Sequence, residues 1–128
     1  MKLFETPLYS FELTDHHILK FIWTPETKKM NFLNFQESCM IYAGLAIEHQ
    51  VTKLLIDTRQ FEFSMPENYM EWKEDYLNPR YAKVPVKKHA FIMPLEVLQN
   101  MEHQEFKEST YMNKFFDNEE KAIDWLTN

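Results

Sequence analysis

The stretch VTKLLIDT, residues 51–58, does most to limit the folds open to this chain. Leu54, Leu55 and Ile56 form an unbroken apolar run, without the alternation of a strand that keeps one face wet. Such a run reads as a central strand buried on both sides, which demands covering layers above and below it. The flanking segments supply them. From about Asn31 to Gln50, the residues Phe32, Phe35, Cys39, Ala43, Ala46 and Ile47 recur at three- and four-residue spacing, the stripe of an amphipathic helix. Gly44 lies inside that helix, where glycine costs about 1 kcal/mol relative to alanine, and close packing of helix on sheet is the expected reason. Beyond the strand, Met65, Tyr69, Trp72 and Tyr76 form a second stripe. Ser64 and Glu67 have capping-box spacing, Pro66 suits a first turn, and Asn78-Pro79 is expected to end this helix.

Upstream, Tyr9, Phe11 and Leu13 alternate with polar residues, and after TDHH the residues Leu19, Phe21 and Trp23 share one face. Two strands around a short polar connection predict a hairpin, closed by Thr24-Pro25. Downstream, Pro85 falls in a connection, VKKHAFIM reads as a strand ended by Pro94, and Leu95, Leu98, Met101 and Phe106 outline a third helix. The ending FFDNEEKAIDWL joins the aromatics of a last strand, Tyr111 to Phe116, to a terminal helix. Asp117 is its expected N-cap, Glu120 completes a box-like pair, and the acidic run faces the positive end of the helix dipole. Ala122, Ile123 and Leu126 pack inward, with Trp125 flanking them. The order β-β-α-β-α-β-α-β-α predicts one α/β domain over residues 1–128. Its sheet is expected to be mixed and mainly parallel, with about five strands and an N-terminal antiparallel hairpin.

Composition narrows the function classes. Gly44 is the only glycine, so no phosphate-cradling loop and no nucleophile elbow of the G-x-S-x-G kind can be written from this chain. A net charge of −6 argues against nucleic-acid binding. Lys83, Lys87 and Lys88, with His89 beside them, read as the solvated start of a strand rather than an anion patch. The single cysteine, Cys39, suits a reducing cytoplasm, and no apolar run approaches the roughly 20 residues of a membrane span.

Candidate chemistry is sparse. His16 and His17 are adjacent and fall in a turn, His49 ends a helix, His89 begins a strand, and His103 has no second ligand at helical spacing, so no metal set is expected. Cys39 falls on an apolar helical face and reads as a buried, inert thiol. No catalytic residues and no cofactor emerge. Asp57, Thr58 and Arg59 sit where open α/β sheets bind ligands, so they either rim a pocket or pair locally. Tyr69, Trp72 and Tyr76 carry polar tips on aromatic bodies, which suits a half-exposed groove or interface as well as a core.

The central strand LLIDTRQFEF leading into a helix, the terminal FDNEEKAIDWL and the order of elements resemble the SpoIIAA-like, or STAS-like, superfamily over nearly the whole chain. The likeness implies a small bacterial regulatory or interaction domain, for which a protein partner or self-association is expected. In the superfamily's anti-sigma-factor antagonists, a Ser is phosphorylated where the central strand turns into its helix. Here that turn reads FEFSMPENYM; Ser64, its only Ser or Thr, is the position that the resemblance offers for phosphorylation, but no glycine follows it, a departure from the Asp-Ser-Ser/Thr-Gly pattern. Two function classes follow. One is a non-enzymatic protein-interaction domain using the aromatic helix; the other is a carrier of a small apolar molecule or lipid, with a pocket between that helix and the sheet. An enzyme ranks third, because no nucleophile–base pair can be assembled from spacing.

Overall fold

The computed structural model describes residues 1–84 and 86–128; Pro85, expected in a connection, lies outside the described residues. The chain opens with β1 (Lys2–Glu5), β2 (Tyr9–Leu13) and β3 (Ile18–Trp23), then a 3-10 turn (Pro25–Lys29) and α1 (Phe32–Glu48). After β4 (Lys53–Asp57) comes a composite helix in three parts: α2 (Tyr69–Trp72), a π-helical turn (Lys73–Leu77) and α3 (Asn78–Tyr81). β5 (Lys88–Ile92), α4 (Leu95–Gln99), β6 (Glu105–Glu108), β7 (Tyr111–Phe116) and α5 (Glu119–Thr127) follow. Among the described residues, seven strands form one sheet in the order β1-β2-β3-β4-β5-β7-β6. β3, β4, β5 and β7 are parallel neighbours, whereas β1–β2, β2–β3 and β6–β7 pair antiparallel.

The fold is therefore α/β with a mixed sheet, but seven strands replace the expected five, and parallel and antiparallel pairings are equal in number. β1 and β6 are the two edges, short, largely exposed and charged at Lys2, Glu5, Glu105 and Lys107. That composition discourages edge-to-edge pairing and also erases the burial period that announces a strand. Phe106, assigned from sequence to a third helix, lies in β6, and the helix is the five residues of α4.

β4 is buried on both faces as expected, Leu54 on one side and Leu55 on the other. The first face carries the larger core, where Phe11, Leu19, Phe21 and Trp23 pack against Phe35, Tyr42 and Ala43 of α1 and Leu77 and Tyr81 of the composite helix. Tyr42 donates its hydroxyl hydrogen to the Leu19 carbonyl at 2.5 Å, locking α1 onto β3. The second face packs Ile18, Leu55, Ala90 and Ile92 under Ala122 and Leu126 of α5.

Three local expectations give way. A Cβ built on Gly44 would meet nothing within 4 Å, so tight packing is not what places glycine there. α5 is capped by Asn118, whose side chain accepts the Lys121 amide at 2.9 Å, while Asp117 pairs with the Lys121 ammonium at 3.3 Å. The composite helix starts at Tyr69 behind Asn68, leaving Ser64 exposed in the preceding non-helical segment rather than at a cap.

Nor does Asn78-Pro79 stop the composite helix, which runs to Tyr81. Proline lacks an N–H and its ring crowds the carbonyl four residues back. The turn before it widens instead, and the Asn78 amide donates to the Lys73 carbonyl, five residues earlier. The wider turn rotates the helix so that Tyr69, Lys73, Leu77 and Tyr81 face the sheet, while Tyr76 is left 60% exposed.

Candidate functional site

Strand register places two rows of side chains across the first face of the sheet. Leu19, Leu54, His89 and Asn113 form one row; Phe21, Ile56, Phe91 and Phe115 form the next, toward the carboxyl ends of the parallel strands. The composite helix crosses above them, and between helix and sheet lies a partly enclosed cavity of about 90 Å³. Phe21, Ile56, His89 and Phe91 form its floor, Tyr69, Lys73, Leu77 and Tyr81 its roof, and Trp23, Phe35 and Cys39 one side. Thr58, Phe61 and Met65 stand at the carboxyl-end side, where open α/β sheets place their ligands.

The loop there is fixed from beneath by Thr27. This fully buried hydroxyl donates to the Thr24 carbonyl at 2.8 Å and accepts the Glu62 amide at 2.9 Å. Phe61 is thereby held against Trp23 (5.0 Å between ring centroids), and Phe63 against Phe35 (6.1 Å). The Thr58 hydroxyl donates to the Ile92 carbonyl at 2.8 Å, so it contributes its methyl group to the cavity.

His89 is the anomaly in this wall. It is 2% exposed, stacked on Phe91 at 4.4 Å and flanked by Tyr81 and Tyr111, and among the described residues neither ring nitrogen has a hydrogen-bond partner. Burial, reinforced by the nearby Lys73 charge, drives its pKa well below the ordinary histidine value, so the ring is neutral at pH 7. Burial also pushes the Cys39 thiol and the Tyr69 and Tyr81 phenols up, keeping all three protonated.

The chain matches no protein-family model, no curated protein and no solved structure.

Beside the cavity, a polar network joins the composite helix to the β6–β7 hairpin. Glu108 accepts hydrogen bonds from Lys73 (2.9 Å), Asn78 (3.1 Å) and Asn113 (3.1 Å), and Tyr111 donates to Asn78 at 2.8 Å. Burial by itself would raise the Glu108 carboxyl, yet the Lys73 ammonium and the three donated hydrogen bonds bring it below its ordinary value. Lys73 thus reaches the cavity roof with its charge already neutralised.

Of the residues expected from sequence to bind a ligand or partner, Thr58 and Tyr69 line the cavity. Trp72 sits next to it, edge-on to Phe32 and Phe35. Asp57, one residue out of phase with the floor, pairs locally: the Arg59 guanidinium donates to both its oxygens at 3.0 and 2.7 Å. Ser64, Arg59 and Tyr76 are exposed and do not line it. Among the described residues no group of three or more His, Cys, Asp or Glu side chains is placed to hold a metal ion, and no helix is long and apolar enough to cross a membrane. Sequence reasoning missed Lys73 and His89. The one available signal for Lys73 was its place four residues after Tyr69 and four before Leu77; His89 was assigned with its neighbours to solvent, whereas Lys87 is exposed and His89 is buried.

Proposed function

We propose that this domain binds a small, largely apolar molecule without transforming it, acting as a carrier or sensor, and that it is related to STAS-like domains. The observation that carries the reading is the cavity itself: a pre-formed, aromatic-walled space under the composite helix at the carboxyl end of the parallel strands. The states of its polar groups favour binding over chemistry. Nucleophilic cysteines need a depressed pKa and access, and the Cys39 thiol is buried with its pKa raised. Lys73 is committed to Glu108.

A second reading, a protein-interaction surface, rests on the outer side of the same helix, where Met70 is 50% and Tyr76 60% exposed. Native mass spectrometry of protein purified from its own host separates the two. A retained small molecule released on denaturation supports the carrier. A ligand-free protein that forms defined oligomers, dispersed by Tyr76→Ala, supports the interaction surface and contradicts the carrier.

A further inference from the structure

A buried histidine with both nitrogens unpartnered is a standing cost that packing does not explain, since a Val or Leu would fill a central strand better. A neutral imidazole offers one N–H donor and one nitrogen acceptor, and no partner among the described residues fixes which is which. Water is a poor occupant, because it needs about two to four polar partners: Thr58 and Lys73 already bond within the protein, which leaves beside His89 only the Tyr69 and Tyr81 hydroxyls and the Cys39 thiol on walls that are otherwise mostly apolar. A charged occupant is equally disfavoured: the walls are mostly apolar and the one charge among them, on Lys73, is matched by Glu108. Size sets the last limit, since the cavity of about 90 Å³ is smaller than the roughly 150 Å³ of an engineered apolar cavity that holds benzene.

We infer that the occupant is a small uncharged molecule bearing a hydroxyl, or an equivalent paired donor and acceptor, with that group on the His89 ring and its apolar body, at most one ring, among Phe21, Phe35 and Tyr69. This rests on the ligand-binding reading above. An aromatic body extends past the enclosed space toward Met65, the cavity residue with the flexible, 37% exposed side chain.

The test is calorimetric titration of the full chain and its His89→Leu variant with phenol, benzene and benzoate, together with imidazole ¹⁵N spectra of the wild type. The expected result is phenol binding about tenfold more tightly than benzene, a preference lost in His89→Leu, weaker binding of benzoate, and a phenol-dependent shift of the His89 ring nitrogens. If phenol and benzene bind equally to both proteins, if benzoate binds as well as phenol, or if the His89 nitrogens do not move, ligand binding stands and the hydroxyl anchor falls. If none of the three binds the wild type, the ligand-binding reading falls with it. The ¹⁵N spectra need no variant, so a poorly folded His89→Leu protein does not protect the inference.

Discussion

Replacing Glu108 by Gln isolates the polar network that ties the composite helix to the β6–β7 hairpin. The Glu108 side chain is 15% exposed and that of Lys73 only 8%, so the pair is largely desolvated. Glutamine keeps the shape but removes the charge, leaving the Lys73 ammonium buried without a counter-ion. Removing one partner of a buried pair costs about 3–5 kcal/mol, and the residual exposure of Glu108 puts this site near the lower end, about 3 kcal/mol. In urea denaturation followed by tryptophan fluorescence, a slope of about 1–3 kcal/mol per molar converts that loss into a midpoint lowered by roughly 1–3 M. Adding Lys73→Met removes the stranded charge, and the double variant is expected to recover to within about 1 kcal/mol of the wild type. The network also has an acid signature. The folded Glu108 carboxyl lies below its ordinary value, so its contribution is complete above the unfolded carboxyl pKa of about 4.3 and disappears as the pH falls through the lower folded value. Glu108→Gln flattens that limb. A loss under about 1 kcal/mol in the single variant, or a double variant no better than the single, would refute the reasoning.

Three further outcomes follow from geometry. His89→Leu removes a ring whose folded pKa is depressed; between the unfolded value of about 6.5 and the folded one, the wild type loses stability with falling pH because only the unfolded chain takes up the proton, and thermal melts at pH 7.5 and 5 should show a smaller decrease in the variant. Gly44→Ala is expected to raise stability by about 1 kcal/mol, because the added methyl meets open space inside a helix; a loss on chemical denaturation would mean that the space is filled. Asn118→Ala should cost about 1 kcal/mol while Asp117→Ala costs under about 0.5, and the reverse order would restore Asp117 as the cap.

Interior periodicity made much of the fold legible. Leu54 to Ile56 marked the doubly buried strand, Tyr9 to Trp23 the hairpin, and the stripe from Phe35 to Ala46 the long helix, because each buries a continuous face that its sequence must keep apolar. The edges were illegible for the complementary reason: β1 and β6 bury little, so their residues are free to be charged. The composite helix defeated the reading in another way. Pro79 looks like a stop, and only the π turn before it, a hydrogen-bonding choice with no residue code of its own, lets the helix continue and turns Lys73 inward in place of Tyr76. Thr58 and Tyr69, chosen by position and stripe, line the cavity. His89 was hidden because a buried histidine and a solvated one look alike beside two lysines, and strand register alone settles which it is.

Diffraction from a crystal held under xenon pressure addresses the cavity without presupposing a ligand, because xenon enters apolar spaces by dispersion and size alone. The expected result is a xenon atom under the composite helix, in contact with Phe21, Phe35 and Tyr69 and beside the His89 ring. A composite helix closed down on the sheet, with xenon bound only at the surface, would contradict the assignment of this space as a binding site.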